Sequence, residues 1–371
     1  MSKRHDVPFF NYSALFKARE DEYMEVLHDV LSRGAYILQS DLEDFEKNLA
    51  DFLGVKHVLG VADGTNALKL ALLATGIGVK NEVIIPAHTY VASAASVHYV
   101  GATPVLVECQ HDHLIDPVAV RQAVTEDTRA IMPVQLNGRT ANMDVLCEIA
   151  EEYDLVIIED SAQALGSRFK GRSAGSFGVA GTFSFYPAKL LGCFGDGGAV
   201  ITNNDEIAEN IFLLRDHGRN KDGEVVAWGT NCRLDNVQAA ILNFKLKTYE
   251  QDITRRREIA AMYQDGLTDM DQLVLPPGPN DDQVHFDVYQ NYEIEVDCRD
   301  ELKNYLKEHG IGTIIQFGGK AVHQYPLGFE DVSLPFTEQL YKRALLLPMH
   351  TALSNNDVGY VIERIRGFYR I

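Results

Sequence analysis

The amino-acid sequence predicts an α/β protein with a large, mostly parallel sheet and a second, smaller domain. From about residue 40 to residue 205, short β-branched runs alternate with segments of helical periodicity. The runs are apolar throughout, as strands buried on both faces of a helix-covered parallel sheet are. After about residue 245 the pattern changes. We therefore predict a large α/β domain with an N-terminal arm over residues 1–245 and a small α+β domain over residues 246–371.

The elements of the large domain follow from periodicity and from stop signals. Ser40 and Glu43 have the spacing of a capping box, so a helix is predicted to begin near Asp41. Gly76 and Gly101 are expected to end two later helices. The predicted strands lie at 57–61, 83–86, 104–107, 130–134, 155–160, 181–185 and 198–202, with helices at 65–75, before Gly101 and at 143–153.

The small domain is predicted from a different pattern. A polar helix at 253–267 leads into LVLPPGPNDDQ (273–283), which is typical of an exposed loop or linker. An alternating strand at 288–296, a helix at 300–309 and a strand at 312–317 follow. Ser354 and Asp357 are predicted to cap the last helix.

Charge and composition exclude several classes of function. The chain has 371 residues, with 34 Lys and Arg against 53 Asp and Glu, a formal net charge of −19. A nucleic-acid or anionic-membrane surface selects clustered positive charge, so neither partner is expected. No apolar stretch is long enough for a membrane span, and the first 16 residues lack the apolar core of a signal peptide, which predicts a cytoplasmic protein. The five cysteines are scattered, so no disulfide framework and no metal site is predicted.

The first segment that could carry chemistry is GVADGTNALKLAL (60–72). Gly64 and Thr65 stand where a strand leads into a helix, and free N–H groups there could hold a phosphate. Neither common nucleotide-binding fingerprint is present. An ordinary turn with a threonine near the N-cap remains an alternative.

The second segment is LVIIEDSAQALGS (155–167). Asp160 ends a strand predicted to be buried, so its carboxylate must be paired with a positive group or directed into a site. Gln163 follows one turn later. A strand-end aspartate that caps the next helix is equally compatible with the spacing.

The third segment is GTFSFYPAKLLGCFGDGGAVITN (181–203). Lys189 lies among apolar residues and glycines, where burial would lower its pKa and favour a Schiff base. Ser184 could donate a hydroxyl to the same site. A solvated surface lysine is the more ordinary alternative.

Seven segments together resemble one family in order and sequence. They are DGTNAL (63–68), IPAHTYVAS (85–93), EDSAQALG (159–166), SFYPAKLLGCFGDGGA (184–199), LRDHG (214–218), GTNCRLDNVQAAIL (229–242) and LPMHTALS (347–354). With this set the chain resembles the DegT/StrS family of sugar aminotransferases from about residue 8 to its C-terminus. The resemblance implies a pyridoxal 5′-phosphate-dependent transferase of fold type I, with a large, mostly parallel seven-stranded sheet domain and a smaller C-terminal α+β domain.

The resemblance also implies residue roles. Lys189 is expected to hold the cofactor as a Schiff base, and Asp160 to pair with its pyridine nitrogen. Gln163 is expected near the phenolic oxygen. The remaining implied positions are Tyr90, which stacks on the ring, Gly64, Thr65 and Ser184, which bind the phosphate, and Asn231, which reaches the phosphate of a neighbouring subunit. The last position implies a homodimer with shared active sites.

The resemblance implies L-glutamate as the amino donor and a keto sugar nucleotide as the acceptor, in polysaccharide, lipopolysaccharide or glycoside biosynthesis. LGCFGDGGA (191–199) and Gln163 look more like members that aminate C3 than those that act at C4, which remains the alternative. Two segments depart from many members of the family: this chain has VQLNG (134–138) where they have VHLYG, and QFG (316–318) where they have HYP.

Three other functions fit the sequence less well than an aminotransferase. Related dehydratases carry a histidine where this chain has Lys189, and a nicotinamide-dependent oxidoreductase would need a glycine fingerprint after the first strand. A non-catalytic dimeric regulator of the same fold would be expected to lose Lys189, Asp160 or the glycines, and all are present.

Overall fold

Helices and strands alternate along most of the chain, and the structure, a computed structural model, describes residues 5–370. The strands are β1 (His57–Val61), β2 (Glu82–Pro86), β3 (Thr103–Val107), β4 (Thr128–Ile131), β5 (Val156–Asp160), β6 (Arg168–Phe169), β7 (Arg172–Ser173), β8 (Ala180–Ser184), β9 (Gly198–Thr202), β10 (Leu273–Val274), β11 (His285–Phe286), β12 (Tyr292–Val296) and β13 (Ala344–Leu347). The α-helices are α1 (Tyr12–Lys17), α2 (Glu20–Arg33), α3 (Ser40–Leu53), α4 (Gly64–Ala74), α5 (Val91–Tyr99), α6 (Pro117–Ala123), α7 (Met143–Glu152), α8 (Asp205–Arg215), α9 (Asn236–Leu246), α10 (Tyr249–Leu267), α11 (Arg299–Glu308), α12 (Pro335–Arg343) and α13 (Asn355–Phe368).

The large sheet has seven strands in the order β1-β9-β8-β5-β4-β2-β3. Strands β8, β5, β4, β2 and β3 pair in parallel, and β9 runs antiparallel to both of its neighbours. The predicted large, mostly parallel sheet is therefore confirmed. The carboxyl ends of β2, β5 and β8 meet at one edge, where open α/β sheets bind ligands.

Helices cover both faces of this sheet, which explains the continuous apolar runs in the sequence. Val83, Ile84 and Ile85 of β2 are all fully buried although they point to alternate faces. Val83 and Ile85 pack in one hydrophobic cluster, and Ile84 packs in another on the opposite face. Each such side chain stabilises the fold by about 1.5–3 kcal/mol through burial.

A second, three-stranded antiparallel sheet has the order β10-β12-β13. Its core includes Ile294, Leu345 and Val361, with α10, α11 and α13 packed around it. Ser354 and Asp357 form the predicted capping box of α13. The division of the chain at residues 245 and 246 stays a prediction.

Four local predictions were wrong in extent. The strand predicted at 288–296 begins only at Tyr292, because Tyr289 takes a left-handed backbone with φ 51°. The segment predicted as a strand at 312–317 makes one isolated bridge and then turns at Phe317, where φ is 50°. Strand β4 ends at Ile131 rather than residue 134. Helix α3 has Gln39 as its N-cap, so the predicted box of Ser40 and Glu43 does not form.

The sequence patterns missed several elements, among them α2, α8, α9, α12 and β13. Within residues 5–370, no helix has both the length and the apolar content that crossing a bilayer requires.

Candidate active site

A cavity of about 820 Å³ opens at the carboxyl edge of the large sheet. It is formed by the segments that follow β1, β2, β5 and β8. The structure brings together seven of the eight predicted site residues there: Gly64, Thr65, Tyr90, Asp160, Gln163, Ser184 and Lys189. The eighth, Asn231, is exposed on the segment between α8 and α9 and is not among the residues that line this cavity in its own chain.

Asp160 is the last residue of β5, and its side chain is buried at the cavity wall. Its Oδ2 accepts a hydrogen bond from the Ser93 hydroxyl at 2.8 Å, and its Oδ1 accepts one from the Ala162 N–H at 3.2 Å. Burial raises the pKa of Asp160 above its ordinary value, while these two donors and the charge of Lys189 act in the opposite direction. A cationic group in the cavity would therefore stabilise the carboxylate.

Lys189 follows β8 in a tight turn, with its N–H donating to the Tyr186 carbonyl at 2.8 Å. Gln290 holds the chain on both sides of the lysine, because its amide donates to the Ala188 carbonyl and accepts from the Leu190 N–H, each at 2.8 Å. Burial lowers the pKa of Lys189 to about 8, and the charge of Asp160 partly opposes this shift. A lysine with this pKa is partly neutral near pH 7 and can act as a nucleophile.

The N-terminus of α4 faces the same cavity. Asp63 caps the helix by accepting from the Asn66 N–H at 2.8 Å, which leaves the first-turn N–H groups of Gly64 and Thr65 available to an anion. A Cβ at Gly64 would lie 2.8 Å from Ser184 Cβ, so the close approach of α4 to β8 requires glycine here. A helix N-terminus beside a serine hydroxyl can bind a phosphate.

The side-chain amide of Gln163 is oriented by its neighbours. Its Oε1 accepts from the Asn137 N–H at 2.9 Å and from Asn291 Nδ2 at 3.3 Å. With its oxygen occupied on that side, the amide has its NH₂ group to donate elsewhere. The NH₂ group of Gln163 is therefore available to donate to an acceptor in the cavity.

Tyr90 stands just before α5, and 59% of its surface is exposed. Its ring centroid lies 5.8 Å from that of Phe317. Both rings line the cavity and could cover a planar ligand.

Sequence reasoning missed the residues that orient the site. Ser93, Gln290 and Asn291 contact Asp160, the Lys189 turn and Gln163, respectively. Ser93 lies within a segment that carried the family resemblance, but no spacing rule distinguishes it from its neighbours. Asn137 falls in VQLNG, where the departure from the family was the only signal.

The cavity matches pyridoxal 5′-phosphate group by group. That cofactor has a phosphate, a ring nitrogen that works best protonated and an aldehyde that reacts with amines. The N-terminus of α4 could bind the phosphate. Asp160 could pair with the ring nitrogen, and Lys189 could react with the aldehyde. On this seven-stranded sheet, such a match defines a pyridoxal-phosphate-dependent transferase of fold type I.

Comparison with known proteins identifies the family. The chain belongs to the DegT/DnrJ/EryC1/StrS aminotransferase family, whose sequence profile matches residues 17–366. It is 39% identical to the "Pleiotropic regulatory protein" of Geobacillus stearothermophilus over 98% of this chain and 99% of that protein. It is also 39% identical to the "dTDP-3-amino-3,4,6-trideoxy-alpha-D-glucose transaminase" of Streptomyces venezuelae over 97% of this chain and 95% of that protein. The crystal structure of S. venezuelae DesV in complex with a ketimine intermediate superposes with a TM-score of 0.94 at 38% identity, over 99% of both chains.

Proposed function

We propose that this chain transfers the amino group of L-glutamate to C3 of a 3-keto sugar nucleotide, with pyridoxal 5′-phosphate as cofactor. The aminotransferase family supports the reaction class. The observation that carries the proposal is the placement of Lys189 and Asp160 in one cavity, with burial lowering the pKa of the lysine to about 8. We expect the reaction in the cytoplasm.

Asp160 and Lys189 have different roles in the proposed reaction. When bound, the cofactor supplies an electron sink that stabilises negative charge on the donor's α-carbon. Asp160 would hold a proton at the ring nitrogen, which strengthens that sink. Lys189 would hold the cofactor through Nζ, and its amine, when free, would accept the proton from the donor's α-carbon.

The other cavity residues fix the cofactor. The N–H groups of Gly64 and Thr65 and the hydroxyl of Ser184 would bind its phosphate, and Gln163 would donate to its phenolic oxygen. The Tyr90 ring would stack on the cofactor ring. The net charge of −19 would repel an anionic cofactor and a nucleotide diphosphate at long range. Their binding therefore has to depend on local contacts such as these.

The assignment of amination to C3 rests on similarity to a relative. The S. venezuelae relative is named for a 3-amino sugar. C4 amination is the alternative. Purified protein should be given glutamate with 3-keto or with 4-keto sugar nucleotides, and release of 2-oxoglutarate should be followed. A response to 4-keto substrates alone would overturn the C3 assignment.

The second candidate is a regulator without catalysis, which the name of the G. stearothermophilus relative favours. Retention of Lys189, Asp160 and the α4 N-terminus in one cavity favours an enzyme. Borohydride treatment of the yellow holoprotein should fix the cofactor on the peptide that contains Lys189. If the protein is colourless and takes up no pyridoxal phosphate, the hypothesis that it is an enzyme is wrong.

We also propose a homodimer with shared active sites. Asn231 is exposed and is not among the residues that line the cavity of its own chain. On the same segment, 96% of Trp228 and 68% of Val225 are exposed, and apolar exposure of this kind is typical of an interface. We propose that this segment carries Asn231 to the cofactor phosphate of a second copy.

A further inference from the structure

Glu293 joins the small sheet to the segments that form the cavity. It lies on β12, and 1% of its side chain is exposed. Its Oε2 accepts from Asn137 Nδ2 at 2.8 Å and from His113 Nδ1 at 2.9 Å, and His88 Nε2 is 3.7 Å away. All three partners come from segments of the large sheet.

Two of these partners are next to cofactor-binding positions. Asn137 donates through its backbone N–H to Gln163 Oε1 at 2.9 Å, and its backbone is left-handed with φ 56°. A non-glycine residue in that region costs of order 1–3 kcal/mol and persists only where its surroundings hold it, and the hydrogen bond that Asn137 Nδ2 donates to Glu293 contributes to this. His88 directly precedes Thr89 and Tyr90, which line the cavity.

The surroundings keep Glu293 charged. Burial alone would raise the pKa of Glu293. Because burial also lowers the pKa of His88, the cationic neighbour is His113, whose own pKa is raised to about 9 and whose hydrogen bond and charge hold the pKa of Glu293 below its ordinary value. His113 also contacts Glu295 at 3.3 Å, and Glu295 contacts Arg343 at 3.3 Å, so the cluster alternates in charge. Hydrogen bonds donated to a charged acceptor are stronger than those between neutral groups, by roughly a factor of two.

We propose that Glu293 is a positioning residue that orients Gln163 through Asn137. This inference rests on the proposed function, because it assigns Gln163 to the cofactor. Glu293 acts from the small sheet and does not line the cavity itself.

A metal site is the competing interpretation, since donor atoms of His88, His113 and Glu293 lie within 4.8 Å of one another. However, Glu293 Oε2 already accepts two hydrogen bonds, and His88 Nδ1 lies 3.2 Å from the His113 carbonyl. These contacts favour a hydrogen-bonded cluster, while His88 Nε2 and Glu293 Oε1 are buried without a hydrogen-bond partner. Stoichiometric zinc in purified holoprotein that is lost from the Glu293→Gln variant would overturn the proposal.

The experiment compares Glu293→Ala with Ile294→Ala in the holoprotein. Ile294 is the next residue on β12 and packs in the core of the small sheet, so its truncation lowers stability without touching Asn137. For Glu293→Ala we expect kcat/KM to fall about tenfold to hundredfold, as for the loss of a charged hydrogen bond. We also expect a shift in the pH at which the visible band of the bound cofactor changes, because the donor to its phenolic oxygen is displaced.

Glu293→Gln keeps an acceptor for Asn137 and should give intermediate values. Ile294→Ala should lower Tm and leave the visible band unchanged. If Glu293→Ala retains both the wild-type band and the wild-type kcat/KM, the inference fails. If the wild-type chain binds no pyridoxal phosphate, the proposed function fails instead.

Discussion

The Ser93 hydroxyl donates to Asp160 Oδ2 at 2.8 Å, and the Thr89 and Ser93 hydroxyls lie 2.7 Å apart. All three side chains are buried. Burial raises the pKa of Asp160, and the hydrogen bond from Ser93 acts against that rise. The Ser93 hydroxyl therefore favours the ionised form of Asp160, which is the form that would pair with a positive ring nitrogen.

Replacing Ser93 by alanine should weaken cofactor binding. Asp160 would lose a donor, its pKa would rise, and a hydrogen bond to a charged group is worth about 1.5–3 kcal/mol, or roughly tenfold to hundredfold in Kd. Titration of apoprotein with pyridoxal phosphate measures the change. Ser96→Ala is the control, because Ser96 is equally buried on α5 but donates to the Ser93 carbonyl at 2.7 Å. Equal affinity in the two variants would contradict the assignment.

Capture of the cofactor aldehyde should depend on pH through Lys189. Only the neutral amine reacts, so the rate should rise with pH and level off above the lysine's pKa of about 8. The charge of Asp160 raises that pKa, so Asp160→Asn should move the inflection to lower pH. Stopped-flow absorbance with apoprotein measures the profile. An inflection near 10.5, the ordinary value for lysine, would show that Lys189 is solvated.

Adding a methyl group at Gly64 should impair binding of the phosphate. The new Cβ would lie 2.8 Å from Ser184 Cβ, and relief of such overpacking costs typically about 1–3 kcal/mol. Because the displaced groups are those that face the phosphate, Gly64→Ala should lose more affinity for pyridoxal phosphate than for pyridoxal. Gly359→Ala on α13 meets nothing within 4 Å and should bind both as the wild type does. Equal losses for both ligands in Gly64→Ala would argue against a phosphate site.

Local pattern was sufficient to predict the large sheet and the place of its cavity. Asp160 and Lys189 could be found because a charged residue at the end of a buried run is unusual. The family resemblance added Tyr90 and Asn231, which no spacing rule identifies, and gave a role to Gln163. These roles stay predictions, although the structure places Tyr90 and Gln163 beside Asp160 and Lys189 in one cavity.

The residues that orient the cavity could not be predicted, because their contacts span large distances in sequence. Gln290 reaches Leu190, Asn291 reaches Gln163, and Glu293 reaches Asn137. The same segment was predicted as part of one long strand. The left-handed backbone at Tyr289 interrupts it, and Arg256 donates to the carbonyls of Tyr289 and Gln290 at 3.0 and 3.2 Å. Alternating hydrophobicity does not reveal such a break.

A mixing experiment tests whether Asn231 completes the site of a second copy. Lys189→Ala should be inactive. Asn231→Ala should have low activity because the cofactor phosphate loses a hydrogen bond. If both are unfolded and refolded together, each mixed dimer should contain one intact site, formed by Lys189 of one chain and Asn231 of the other. Random pairing then predicts recovery of about a quarter of wild-type activity. If Asn231 served the cavity of its own chain, no mixed site would hold both residues, and the mixture would stay at the level of the separate variants.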